Sequence, residues 1–262
     1  MKDNRFVNVV KAIFFDVILP VLVYVFITLF VSGIIGAIGY FLSYNINIII
    51  TTAVASLLTS IALFPMYKKN AIERKYYTNK FEIKNMKYIL GLGVSLCLFF
   101  NLLLILLNII QNDEVAKMVS ESIMELNPII AFVSVSIIVP LCEELIFRGF
   151  IFKGLEYNFN YYVAAFVSSL LFALMHGNIS QGIYAFFIGF MLCYVYNRFG
   201  GLKYSYLLHL VMNFSSLFFM GFFIPDQTMI KGQIMMLILS IVLFIITMYR
   251  VIQIEKEGSQ TL

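Results

Sequence analysis

The sequence predicts an all-α, polytopic membrane protein, a bundle of about eight transmembrane helices with a polar site in its interior. Hydrophobic residues occupy 61% of its 262 positions and charged residues only 12%. A soluble domain is roughly half apolar and about a quarter charged, so soluble, disordered and fibrous chains are excluded. No linker, internal repeat or change in amino-acid composition marks a second domain, and we therefore expect residues 1–262 to form one transmembrane domain.

A helix needs about 20 mostly apolar residues to cross the hydrocarbon core of a bilayer. Eight stretches of the chain are candidates: 17–41, 46–66, 87–110, 128–152, 161–177, 181–198, 204–223 and 231–251. The fifth and sixth are short, and little more than Gly177, Asn178 and Ile179 separates them, which predicts a tight helical hairpin. The fourth is counted as a span although it contains charged residues.

Lysine and arginine are distributed unevenly between the two sides that eight crossings create. One side receives 15 of the 18, including those of the 67–86 loop, whereas the other side receives only Lys117 and Lys231; Arg148 lies within a span. Because short cytoplasmic loops are enriched in these residues, both termini are predicted to lie in the cytoplasm. The many Lys, Asn and Ile residues are typical of a low-GC bacterial host.

Residues 111–127 form the longest predicted non-cytoplasmic connection, and it is acidic. Its apolar residues recur at helical spacing, which indicates either an amphipathic helix lying on the outer face or an extension of the fourth span. Both interpretations stay open at this point.

Cysteine and small residues inside the spans are expected to serve packing. Cys97, Cys142 and Cys193 are odd in number and lie in apolar runs, which predicts buried free thiols rather than disulfides. The small residues that let helices approach closely are Ser32, Gly36, Gly182 and Gly189. Nucleic acid is excluded as a partner because the basic residues lie beside apolar segments.

Ionisable side chains are rare within the predicted spans, and each one is a candidate for a functional site. They are Glu143, Glu144, Arg148, His176 and His209, with Asn213 one turn beyond His209. Residues four apart share a helix face, so Glu144 and Arg148 are predicted to form an ion pair that leaves Glu143 free for chemistry. The same residues could instead hold the helices together, and both interpretations remain open.

The depth of these side chains was estimated from the helical rise of ~1.5 Å per residue. Glu143 lies about 22 Å from the outer start of the fourth span, and His209 about 8 Å from the inner start of the seventh. Both values favour a site nearer the cytoplasmic side. His176, at the outer end of the fifth span, is expected to lie too shallow unless that helix tilts or starts outside the hydrocarbon.

Three motifs occur in order on separate predicted helices: EExxxR at 143–148, FxxxH at 172–176 and HxxxN at 209–213. Over about residues 125–220 the chain therefore resembles the CPBP family, also called Abi. That family comprises type II CAAX prenyl endopeptidases and bacteriocin-processing or immunity proteins.

The resemblance implies an intramembrane endopeptidase whose cavity opens to the cytoplasm. Glu143 with His176 would activate a water molecule, and His209 with Asn213 would hold the developing oxyanion. Glu144, Arg148 and Phe172 would support the site. The substrate would be a membrane-associated peptide precursor or a CAAX-like protein.

The sequence also bears on whether the reaction needs a metal and on two alternative functions. A metal-free mechanism is expected because no HExxH motif occurs, with zinc held by Glu143 and the two histidines as the alternative. A non-catalytic bacteriocin immunity or membrane scaffold protein would also account for the polar cluster. An ion-coupled transporter is disfavoured because no paired inverted halves are visible.

Overall fold

The structure, a computed structural model, describes residues 2–43, 46–76, 83–219 and 230–259, and within these ranges it is all-helical with no β-strand. Helix α1 is continuous through the segments Lys2–Ala12, Ile13–Ile18 and Leu19–Leu42. The others are α2 (Ile48–Glu73), α3 (Ile83–Leu106), α4 (Glu114–Met124), α5 (Pro128–Glu156), α6 (Tyr161–Leu174), α7 (Ile179–Phe199), α8 (Leu202–Phe219) and α9 (Ile230–Ser259). The predicted fold class is confirmed.

Each of the eight predicted spans corresponds to one helix, and α4 is additional. Among the described residues, six helices are long and apolar enough to cross a membrane, namely α1, α2, α3, α5, α7 and α9. Helix α6 is a shorter apolar helix that ends at Leu174 rather than at the predicted residue 177. The predicted end of the seventh span, residue 223, and Lys80 of the 67–86 loop lie outside the described residues.

Helix α4 is separate from α5, and this decides between the two interpretations of residues 111–127. The Asp113 side chain accepts a hydrogen bond from the Ala116 amide at 3.0 Å and begins α4, and Asn127 caps α5 in the same way through the Ile129 amide. No residue of α4 is buried. The segment is therefore an amphipathic helix of its own and not an extension of the fourth span.

The connection between α6 and α7 is the tight hairpin that the sequence predicted. Gly177 has a φ of +70°, a left-handed conformation that glycine adopts without steric cost. The next residue, Asn178, accepts a hydrogen bond from the Gln181 amide at 2.8 Å and begins α7.

Close approach of α6 and α7 depends on Gly189. A Cβ atom at this position would lie 2.7 Å from the Cβ of Ser169, far inside van der Waals contact. The prediction that small residues serve helix packing is therefore confirmed at Gly189. It is wrong at Gly36, where a Cβ atom would meet nothing within 4 Å because this face of α1 is unpacked.

Replacing Gly189 by leucine should destabilise the protein, whereas Gly36→Leu should not. Overpacking of a tight contact typically costs about 1–3 kcal/mol. We expect the midpoint of thermal unfolding in detergent to fall by several degrees for Gly189→Leu and to stay at the wild-type value for Gly36→Leu. Equal midpoints for the two variants would contradict this packing role.

The bundle has two chemically different ends. At the end here called the basic end, α2, α5, α7 and α9 finish, and Arg74 forms an ion pair with the buried Asp16 of α1 at 2.7 Å. At the opposite end, here called the acidic end, Asp113 accepts hydrogen bonds from the backbone amide and the hydroxyl of Ser180, both at 2.8 Å. These bonds hold the pKa of Asp113 below its usual value.

Candidate active site

The acidic pair of the first motif lies between two irregular stretches of α5. Phe132–Ile138 and Leu145–Phe152 are π-helical, and the α-helical segment Val139–Glu144 separates them. π-Helical turns are rare and occur frequently at functional sites. A regular α-helix with 3.6 residues per turn, which the sequence predicted throughout this span, does not have this geometry.

His209 of α8 lies between the two carboxylates. Its Nδ1 is 2.9 Å from Oε1 of Glu144, and its Nε2 is 3.5 Å from Oε2 of Glu143. A carboxylate only accepts, so Nδ1 carries a hydrogen and donates to Glu144, and Nε2 is directed at Glu143. The sequence predicted that Glu144 is ion-paired and that Glu143 is free. In the structure both carboxylates contact the imidazole of His209.

The predicted ion pair of α5 is present and completely buried. The Arg148 Nη1 atom lies 3.1 Å from Glu144 Oε1, and neither side chain has any exposed surface. The guanidinium carbon also lies 4.3 Å from the centre of the Phe172 ring, which is a cation–π contact. Glu144 therefore joins Arg148 to His209 through a single oxygen atom.

Phe172 of α6 contacts both imidazoles. The centre of its ring is 4.8 Å from that of His176 and 5.6 Å from that of His209, both edge to face. Phe147 packs on the same ring at 5.2 Å. The phenyl ring, which the sequence assigned a supporting role, thus keeps the two imidazoles on one wall of the bundle.

His176 lies in the turn after α6 and is held by a hydrogen bond to its own helix. Its Nδ1 is 2.8 Å from the carbonyl oxygen of Phe172; since a carbonyl accepts, Nδ1 donates and Nε2 remains available as an acceptor. Helix α6 has only 14 residues, about 21 Å at the helical rise, so its end lies deeper than that of a full span. His176, just beyond this end, lines the same cavity as Glu143 and His209.

Asn213 joins α8 to α5. Its Nδ2 donates to the carbonyl oxygen of Val135 at 2.9 Å, within the first π-helical stretch. An amide nitrogen carries two hydrogens, so this bond leaves a second N–H for another acceptor. The spacing of the sequence placed Asn213 on the face of His209 but did not indicate its backbone partner.

A cavity of about 350 Å³ brings the motif residues together. Glu143, His176, His209 and Asn213 all line it, and Phe172 forms part of its wall. The side chain of Glu143 is 21% exposed whereas that of Glu144 is fully buried, so only the first of the two carboxylates is accessible from the cavity. The volume falls in the range of sites that bind small molecules or short peptide segments.

Within the described residues, no group of three or more His, Cys, Asp or Glu side chains is placed so that it could hold a metal ion. His209 directs its nitrogens at the two glutamates, and His176 directs Nδ1 at a backbone carbonyl.

Comparison with known proteins gives matches that cover part of the chain. The protein YdiL of Bacillus subtilis, whose name describes it as a candidate membrane peptidase, is 33% identical over 86 residues, which are 33% of this chain and 35% of YdiL. The UPF0177 protein YxdF of Lactococcus lactis is 38% identical over 78 residues, 29% of this chain and 42% of YxdF.

The matched segments therefore cover less than half of either relative, and no solved structure matches the chain significantly. The family model described as type II CAAX prenyl endopeptidase Rce1-like matches residues 125–215, which contain all three motifs. In this region, the chain is therefore similar to the Rce1-like family of type II CAAX prenyl endopeptidases.

Proposed function

We propose that the protein is an intramembrane endopeptidase that hydrolyses a peptide bond within the cavity. The observation that carries this proposal is the convergence of Glu143 of α5, His209 of α8 and His176, in the turn after α6, on one space of about 350 Å³. An accessible carboxylate next to imidazoles supplies the general base that hydrolysis needs.

In the proposed mechanism Glu143 activates a water molecule. Its carboxylate takes one proton from the water while Nε2 of His176 accepts a hydrogen bond from the other, and the oxygen attacks the carbonyl carbon of the peptide bond. The proton then passes from Glu143 to the nitrogen of the leaving amine as the C–N bond breaks. The products are a carboxylic acid and an amine, so water is the only co-reactant.

His209 and Asn213 are the proposed donors to the oxyanion of the tetrahedral intermediate. Nε2 of His209 and the second N–H of Asn213 are fixed before the reaction, since Glu144 and Val135 hold their other atoms. Donors that are fixed in a site of low dielectric constant stabilise developing charge strongly. In this role His209 carries hydrogens on both nitrogens, and Arg148 and Glu144 maintain its orientation.

We propose that no metal takes part in this reaction, because His209, one of the three side chains that would hold zinc, directs both of its ring nitrogens at glutamates. The expected result is that purified, active protein contains no stoichiometric zinc by elemental analysis. Zinc at one atom per chain, with activity lost on chelation and restored on addition, would contradict the proposal.

The substrate class proposed is a membrane-associated peptide precursor or a CAAX-like protein. Comparative peptidomics of cells with the wild-type chain and cells with Glu143→Gln tests this, because a precursor should accumulate and its fragments should disappear in the variant. Identical peptide profiles, with both proteins equally abundant, would instead support a non-catalytic immunity or scaffold function.

We further propose a multi-pass location in a bacterial cell membrane with both termini in the cytoplasm. The support is the excess of Lys and Arg at the basic end of the bundle. This orientation bears directly on the side of the membrane from which a substrate can reach the cavity.

A further inference from the structure

The cavity lies in the half of the bundle next to the acidic end. It is lined by the first turns of α2 and α7, through Thr52 and Gln181, and by the second half of α8, through Ser216. Helix α4, which belongs to the acidic end, lines it as well, through Val119 and Ile123. No lining residue comes from the final turns of α2, α5, α7 or α9, which form the basic end.

The opposite half of the bundle is filled with side chains. All eight residues from Leu145 to Phe152 in α5 are buried. Below the catalytic residues, Phe152 packs edge to face on Tyr196 at 5.9 Å, and Phe150 on Tyr67 at 6.1 Å. These contacts separate Glu143 from the basic end by several layers of packed side chains.

The distribution of charge assigns the two ends to the two sides of the membrane. Among the described residues, the basic end carries 14 of the 18 Lys and Arg residues of the chain, and α4 with its flanking residues carries Asp113, Glu114, Glu121 and Glu125. By the positive-inside rule the basic end faces the cytoplasm. A cavity that is closed toward the basic end and lined from the acidic end then faces outward.

We infer that the active-site cavity opens to the non-cytoplasmic side of the membrane, and that the substrate is an exported or membrane-inserted peptide. The part that concerns the substrate rests on the proposed protease function. This inference departs from the cytoplasmic opening that the CPBP resemblance implies. Helix direction and charge, which belong to this chain itself, oppose that implication.

The wall of the cavity also limits the chemistry of the peptide that it accepts. Among the described residues that line the wall, Glu143 is the one acidic residue, and none is Lys, Arg or Asp. Placing a charged side chain there would cost several kcal/mol without a partner. The residues next to the cleaved bond are therefore apolar or uncharged.

Labelling of single cysteines with a membrane-impermeant maleimide tests the orientation. In a Cys97→Ser background, which removes the cavity thiol, Thr52→Cys reports the cavity and Lys69→Cys reports the basic end of the same helix. Lys117→Cys reports the acidic end. The two remaining native thiols, Cys142 and Cys193, are completely buried, and the unsubstituted background measures their reactivity.

We expect Thr52→Cys and Lys117→Cys to be labelled in intact cells, and Lys69→Cys only in inside-out vesicles. The inference is overturned if Thr52→Cys follows Lys69→Cys. It is equally overturned if Thr52→Cys reacts in detergent but from neither side of the membrane. Labelling needs no hydrolysis, so an outward pattern with unchanged peptide profiles in Glu143→Gln would reject the protease and retain the orientation.

The location of the accumulated precursor tests the substrate class. In cells with Glu143→Gln, the peptide that accumulates should carry an export signal or a transmembrane segment and should be digested by a protease added outside the cells. A precursor confined to the cytoplasm would overturn the assignment.

Discussion

Glu143→Gln should lower the rate of peptide cleavage by at least about 10²-fold and leave the fold intact. General base catalysis contributes typically 10²–10⁴ to a rate, and an amide cannot take the proton that the carboxylate takes. Glutamine keeps the shape of the side chain and can still bond to His209. The measurement is the initial rate at which protein in proteoliposomes cleaves the precursor found by peptidomics, together with the thermal midpoint of each protein.

Glu121→Gln is the matched control for this variant. It makes the same chemical change on an exposed position of α4, away from the lining of the cavity. Its rate and thermal midpoint should equal those of the wild type. If Glu143→Gln cleaves as fast as Glu121→Gln, Glu143 is not the base and the mechanism proposed here is wrong.

The members of the site could be found from the sequence because ionisable residues are so rare in its spans. Glu143, His176 and His209 stand out in apolar runs, and the structure places all three on one cavity. Their contacts could not be found in this way. The bond between Glu144 and His209 joins residues 65 positions apart on two helices, and no periodicity within one helix encodes such a pair.

The positions of the apolar helices and the hairpin could likewise be predicted, because length, hydropathy and glycine conformation are local properties. The π-helical stretches of α5 and the short α6 could not, since both follow from packing between helices. With this geometry, His176 just after the end of α6 lines the cavity, and the irregular α5 presents both glutamates to His209.

Removing either partner of the buried ion pair should destabilise the protein, and the loss should be larger for Glu144 than for Arg148. Removing one partner of such a pair costs typically about 3–5 kcal/mol, because the other charge is left without compensation. Glu144→Leu leaves Arg148 with the Phe172 ring alone, whereas Arg148→Met leaves Glu144 bonded to His209. We therefore expect Glu144→Leu to lower the thermal midpoint more than Arg148→Met does.

The double variant Glu144→Leu with Arg148→Met tests whether the two side chains stabilise the protein as a pair or independently of each other. It leaves no buried charge of the pair, so its thermal midpoint should lie above that of Glu144→Leu alone. Lys69→Met, which removes an exposed partner of Glu73 at 3.8 Å, should change the midpoint little, as surface pairs contribute about 0–1 kcal/mol. Strictly additive losses in the double variant would show that Glu144 and Arg148 do not stabilise one another, and the orientation of His209 would then need another cause.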